Sequence, residues 1–157
     1  MKARDLAQDL PTVGPDDDAL EAARLIAHRR LPGLAVIEGG RPVAVLGAAQ
    51  VLRAVVPAYV QDDPSLARVL DEASADMCAD ALVGKRVRDL LPPGRHRVEL
   101  PAVEGDATVV ECAAQLAKLQ SPALLVVDDG QVHGLLTAAH LLEVLLAGAE
   151  RTQASRK

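Results

Sequence analysis

The strongest constraint on this chain is that it repeats itself. Residues 31–56, LPGLAVIEGGRPVAVLGAAQVLRAVV, lie on residues 121–146, SPALLVVDDGQVHGLLTAAHLLEVLL, with a shift of 90 and no gap. Under that shift Pro32 meets Pro122, Leu34 meets Leu124, Val36 meets Val126 and Gly40 meets Gly130. Leu46, Ala48, Ala49 and Leu52 meet Leu136, Ala138, Ala139 and Leu142. Further upstream, Leu10, Pro11, Val13, Asp16, Glu21, Ala23 and Ala27 recur as Leu100, Pro101, Val103, Asp106, Glu111, Ala113 and Ala117. About a third of positions 10–53 are identical. Prolines and a turn glycine that stay in register speak for a duplicated unit, and a repeat of this length decides the fold before any local pattern does. Arg4-Asp5-Leu6 returns as Arg88-Asp89-Leu90 with a shift of 84, so the second copy carries six extra residues near LPPGRH, 91–96.

Each copy spells the same succession of elements. Leu10-Pro11-Thr12-Val13 reads as a short extended piece, because a residue before proline avoids the α region. Asp16, Asp17 and Asp18 mark a helix start, where carboxylates accept orphan N–H groups. Leu20, Ala23, Ala27 and Leu31 follow at helical spacing, with Leu25 and Ile26 widening the stripe, and Pro32 stops it. Leu34–Ile37 is a buried strand by its length. Glu38-Gly39-Gly40-Arg41 is a turn signal, so Val43–Leu46 pairs back as a hairpin. Gly47 opens a second helix that Pro57 ends. The second copy predicts an extended piece at Leu100–Val103, a helix at Thr108–Leu119, strands at Leu124–Val127 and Val132–Leu136, and a helix at Thr137–Ala147 closed by Gly148.

The fold class is therefore α/β in the α+β sense: two β-α-β-β-α units related by a pseudo-twofold axis, with an inserted helical connection. The boundaries are 1–57 for the first repeat, 58–86 for the connection, 87–148 for the second repeat and 149–157 for a polar, frayed tail. In the connection, Asp63-Pro64 is a helix start. Leu66, Val69, Leu70, Ala73 and Met77 make an apolar stripe expected to cover the junction between the repeats. Its wet face carries Asp71, Glu72, Asp76 and Asp80. One unit exposes too much apolar surface to stand alone, and two can bury it together.

Composition narrows the function classes. The chain has 157 residues, half of them apolar, enough for one compact body. It holds one Tyr, no Phe and no Trp, so stacking platforms for single-stranded nucleic acid are missing. A formal charge of −5 without a basic stripe disfavours a nucleic-acid footprint. Cys78 and Cys112 read as free thiols of a reducing compartment. No apolar run reaches the roughly 18–20 residues of a membrane span, and MKARDLAQDL lacks a signal peptide's apolar core. The expectation is a cytoplasmic protein without direct membrane contact.

The order β-α-β-β-α, the proline before the first core strand, and the closing pattern Gly134-Leu135-Leu136-Thr137-Ala138-Ala139-His140-Leu141 resemble a CBS domain, named after cystathionine beta-synthase. The first copy reads Ala44-Val45-Leu46-Gly47-Ala48-Ala49-Gln50-Val51 at the same place, and two in tandem resemble the CBS pair. The resemblance covers nearly all of residues 1–148. It implies a regulatory module that binds adenosine-containing ligands such as AMP, ADP, ATP or S-adenosylmethionine in clefts between the copies. It also implies self-association into a homodimer and a regulated protein partner such as an enzyme or transporter. It implies that Thr137 contacts phosphate. The family's ribose-binding Asp is replaced by His140 and Gln50, and its first Thr by Gly47. The segment before the first helix, Thr12-Val13 and Ala102-Val103, would offer backbone groups to the adenine edge. The base would lie among Val13, Leu34, Val103 and Leu124, with Gly134 in the signature strand. Arg4, Arg29, Arg53 and Arg88 are candidate phosphate partners.

Each of these residues also has a plainer role. Thr137 and the pair Gly47 with Gln50 suit helix caps, although helix N-termini accept phosphates as well. Val13, Leu34, Val103 and Leu124 suit core packing. Asp128-Asp129-Gly130 suits a hairpin turn. His133 and His140 have no spacing that makes a zinc site. No P-loop, dinucleotide fingerprint or nucleophile elbow occurs, so no catalytic residue is assigned and the chain is not read as an enzyme. The rival reading is a dimeric interaction module whose clefts have degenerated and bind no nucleotide.

Overall fold

The fold is described from a computed structural model, which describes residues 1–92 and 100–157; the bulk of the loop at LPPGRH and its insertion lies outside the described residues. The first repeat runs α1 (Ala3–Leu6), β1 (Thr12–Val13), α2 (Ala19–Arg29), β2 (Gly33–Glu38), β3 (Arg41–Gly47) and α3 (Ala48–Val55). The connection holds α4 (Ala58–Asp62), a 3-10 turn (Pro64–Val69) and α5 (Glu72–Asp80). The second repeat runs α6 (Val87–Leu90), β4 (Ala102–Glu104), α7 (Val109–Leu119), β5 (Ala123–Asp128), β6 (Gln131–Thr137) and α8 (Ala138–Ala154).

Each repeat builds one three-stranded sheet, in order β1-β2-β3 and β4-β5-β6. The outer pair is parallel and the hairpin antiparallel, and the two sheets carry a register irregularity at matching places, Val36/Ile37 and Val126/Val127. The hairpin turns Gly39-Gly40 and Asp129-Gly130 have positive φ at both central residues. That geometry matches the twist of the strands it joins, and it explains the fixed glycine at 40 and 130. Asp18 caps α2 by accepting from Glu21 N–H, and Thr108 caps α7 by accepting from Glu111 N–H.

Strand alternation sorts the apolar residues into three cores. Leu34, Val36 and Leu46 face α2 and α3, together with Val87 and Leu90 from α6. Leu124, Val126 and Leu136 face α7 and α8, together with Ala3 and Leu6 from α1. The opposite faces of the two sheets meet through Ala35, Val45, Ala123, Leu125, Val127 and Leu135. The short opening helix of each repeat thus packs on the other repeat. Ala3 and Arg4 donate N–H groups to the carbonyls of Ala107 and Gly105, at 2.9 Å each. Val87 and Arg88 do the same to Asp17 and Pro15, at 2.9 and 2.8 Å. A contact that each unit makes and receives in the same form is the mark of a twofold relation.

Three expectations are corrected. The buried line of α2 is Ala19, Ala22 and Ile26, while Leu20, Ala23, Leu25 and Leu31 are half-buried and Ala27 is exposed. Small residues are turned inward because α2 lies close against the neighbouring α6, with Ala19 donating to Lys85 O at 2.9 Å. The connection does not cover the junction with its apolar stripe. It breaks into three short pieces, and Leu66, Val69, Leu70 and Met77 are 45–89% exposed. Finally, α8 passes through Gly148 and continues to Ala154, so 149–157 is mostly helix. A mid-helix glycine costs only about 1 kcal/mol, and Thr152 and Ser155 hydroxyls donate to the Gly148 and Arg151 carbonyls one turn back.

Candidate functional site

The two sheets do not close completely. Between them lies a cleft of about 80 Å³, bounded by Thr12, Ala35 and Ile37 of the first repeat and by Val132–Leu135 of the second. Asp9 and Leu10 form its rim. The segment that carries them is held by two backbone bonds between Gln8 and Leu135, at 2.9 and 3.0 Å. Gly134 is required at this crossing: a Cβ there would stand 2.9 Å from the Gln8 carbonyl and 3.1 Å from Ala7 Cβ. Ala44 occupies the matching place in the first repeat.

The candidate residues fall into four groups. Thr12 and Gly134 line the cleft together. Val13, Leu34 and Leu124 do not reach it, because strand alternation turns them into the helix-facing cores, where they are 7%, 0% and 0% exposed. Their side chains take the packing role. Val103 packs beside the second-repeat core, and Ala102 beside the inter-sheet core. Both also border a second, open depression of about 570 Å³ whose polar edge is Glu104, Asp106 and Glu111. Three carboxylates make that edge repulsive to phosphate.

The fourth group sits at the helix N-termini. Thr137 is nearly buried and accepts from His140 N–H at 3.1 Å, which caps α8. His140 is turned along its helix, its Nδ1 3.4 Å from Glu143 Oε2. At the start of α3, Gln50 reaches back so that its side-chain oxygen accepts from Gly47 N–H at 2.9 Å. The proposed cap pair therefore forms, and the Gln50 oxygen is occupied by it. Gly47 lies against the other repeat, since a Cβ there would meet Pro122 at 3.6 Å. Thr137, His140, Gly47 and Gln50 lie outside the lining of the inter-sheet cleft.

Of the candidate arginines, Arg4 pairs with Asp128 at 3.2 Å and Arg88 with Asp16 at 2.6 Å. Arg29 and Arg53 are exposed. Asp9, Ala35, Ile37 and Val132 were not singled out from the sequence, and His133 was weighed only as a metal ligand. Their place in the cleft depends on the long-range pairing of Gln8 with Leu135, which no local pattern announces. Among the described residues no group of three or more His, Cys, Asp or Glu side chains is arranged to hold a metal ion. Cys78 and Cys112 are free thiols, and burial, with Glu111 alongside, pushes the Cys112 thiol above its ordinary pKa. No helix among the described residues is long and apolar enough to cross a membrane.

Comparison with known proteins matches this architecture. The CBS domain family matches twice, over residues 3–57 and 87–147. A CBS domain-containing protein of unknown function from Kribbella flavida is 51% identical, covers 93% of this chain and 99% of its own, and superposes with a TM-score of 0.77. CBSX2 in complex with AMP is 22% identical over 93% of this chain and 97% of its own, with a TM-score of 0.67. CBSX2 from Arabidopsis thaliana is 22% identical over 99% of this chain and 97% of its own, with a TM-score of 0.68. Similarity at that identity shows the shared fold. A search of curated proteins found no match.

Proposed function

The chain belongs to the CBS-domain family as a tandem CBS pair, and from that premise we propose that it senses an adenosine-containing nucleotide in the cleft between its repeats and passes the signal to a protein partner. The observation that carries this reading is the cleft itself: both repeats supply its walls, which are apolar with a few convergent polar groups around Thr12 and Gly134. The AMP complex of CBSX2 supports the ligand class. At about 80 Å³ the cleft is smaller than the roughly 300 Å³ at which small-molecule sites begin. A nucleotide therefore binds by separating the sheets. A ligand that favours the separated state shifts the population toward it, which is the physical content of sensing. On this reading the role is regulation, with no turnover, in the cytoplasm.

Titration calorimetry with AMP, ADP, ATP and S-adenosylmethionine tests the proposal. Saturable heat with at least one of them is expected, and none at millimolar concentration would remove it. Thr137→Ala separates a phosphate contact at α8 from a purely capping role.

The partner surface follows from exposure. Leu52 on α3 and Leu142, Leu145 and Leu146 on α8 are 41–60% exposed, apolar side chains that a second copy would cover to make a homodimer. Light scattering at tens of micromolar gives twice the monomer mass on this reading and the monomer mass against it. One observation favours the rival reading of a nucleotide-free interaction module: Gln50 and His140, which stand where the family has its ribose carboxylates, are engaged locally with Gly47 and Glu143. Purified protein that carries no small molecule and gives no heat, yet dimerises, would establish that rival.

A further inference from the structure

The connection carries a formal charge equal to that of the whole chain. Residues 58–80 hold six carboxylates, Asp62, Asp63, Asp71, Glu72, Asp76 and Asp80, against one cation, Arg68, a formal charge of −5. The whole chain also has −5, so the remainder is neutral in sum. All six carboxylate residues are exposed. Among the described residues none of the six forms an ion pair. The same segment exposes Leu66, Val69, Leu70 and Met77. Neither the 3-10 turn nor α5 has a fully buried residue.

α5 breaks the rules by which a helix stands alone. Its 9 residues fall short of the roughly 12–15 that an isolated helix needs. Glu72, Asp76 and Asp80 stand one turn apart on a single face, where like charges repel. Asp80 lies in the last turn, where a carboxylate opposes the helix dipole, and no basic residue offsets it there. Beside the acidic line run Ala73 and Met77, and Leu66 and Val69 share one side of the 3-10 turn by their spacing of three. Local rules broken together mark a place that function has shaped. We infer that the connection is the docking surface for a basic amphipathic helix of a partner protein. The apolar side of such a helix covers Leu66, Val69, Leu70 and Met77, and its lysines or arginines meet the acidic line. The inference deepens the partner half of the proposed function and rests on it, while requiring nothing of the nucleotide. A second copy brings no net positive charge beyond its own connection. An anionic lipid surface is repelled by the same carboxylates.

The test is fluorescence anisotropy of a dye-labelled synthetic peptide of leucine and lysine only, titrated with the full chain in the absence of nucleotide. Its lysines stand one helical turn apart beside a leucine stripe, and the control peptide has glutamate in place of lysine. Tyr59 on α4 is exposed and is the only tyrosine in a chain without Trp or Phe, so its emission in an unlabelled titration reports from the connection. The lysine peptide is expected to bind saturably, more weakly as salt rises, with a change in Tyr59 emission. The triple variant Glu72→Gln, Asp76→Asn and Asp80→Asn is expected to bind about tenfold more weakly. Its thermal melt should be unchanged or higher, because removing like charges relieves α5. Met77→Ser keeps every charge and should also weaken the peptide about tenfold. No saturable binding up to millimolar protein, equal binding of the glutamate peptide, or binding that neither variant weakens overturns the inference and leaves the nucleotide reading in place. A homodimer that Met77→Ser dissociates, or binding to lipid vesicles that it abolishes, assigns the face to another occupant and overturns it as well.

Discussion

Ala3 donates its backbone N–H to the carbonyl oxygen of Ala107 across 2.9 Å, tying the first residues of the chain to the far repeat. Val87 returns the bond to Asp17 at the same length. With the bonds go the side chains: Ala3 and Leu6 are buried in the second repeat's core, Val87 and Leu90 in the first's. Neither repeat completes its core without the other's opening helix. Leu6→Ala is therefore expected to cost about 2–5 kcal/mol, as truncation of a buried leucine does. The melt should remain a single transition, because the cores are interlocked. Two separated transitions by calorimetry would mean that the repeats are independent.

Gly134 supports the rim of the cleft through its lack of a side chain. Gly134→Ala places a methyl group 2.9 Å from the Gln8 carbonyl, so either the strand or the segment carrying Asp9 must shift. An overpacked site of this type costs about 1–3 kcal/mol. Hydrogen exchange at the Gln8 and Leu135 amides, which pair with each other, should accelerate in the variant. The matching change Ala44→Gly should leave those amides protected.

The two thiols should differ sharply in reactivity. Cys112 is fully buried and burial, with Glu111 alongside, raises its thiol pKa, whereas Cys78 is half-buried. The thiolate is the reactive form. Mass spectrometry after brief alkylation of the native protein should find the label on Cys78 and reach Cys112 only on unfolding.

The exposed apolar stripe of the connection carries little of the fold, in contrast to Leu82, which is buried in the first repeat's core. Val69 is 89% exposed in the 3-10 turn, so Val69→Lys should shift stability by no more than about 0.5 kcal/mol. A loss of 2 kcal/mol or more in denaturant unfolding would mean that the stripe is covered after all.

The duplication was legible because the shift of 90 keeps the turn glycines 40 and 130 identical and keeps the helix-capping places, filled by Asp18 and Thr108 and by Gly47 and Thr137, in register. What escaped was non-local. The apolar spacing from Leu66 to Met77 is the same whether a partner element covers it or water does. The face that α2 buries depends on how closely α6 approaches Ala19 and Ala22. Gly148 looks like a stop, yet the helix runs through it to Ala154, since a glycine inside a helix costs only about 1 kcal/mol. Asp9 and His133 became neighbours of the cleft because Gln8 pairs with Leu135, 127 residues away. The core position of Leu34 and Leu124 follows from strand alternation once the sheet's two faces are known.

The chain holds two isoleucines, and they fall on opposite sides of the first sheet. Ile37 lines the inter-repeat cleft, and Ile26 is buried in the helix-facing core. A methyl spectrum with only the isoleucine δ1 carbons labelled, assigned by Ile37→Val, therefore reports on the cleft directly. Titration with AMP and with S-adenosylmethionine is predicted to move the Ile37 signal saturably while Ile26 stays nearly still. An Ile37 signal that does not move at millimolar concentration of either compound, or a shift confined to Ile26, would contradict the account.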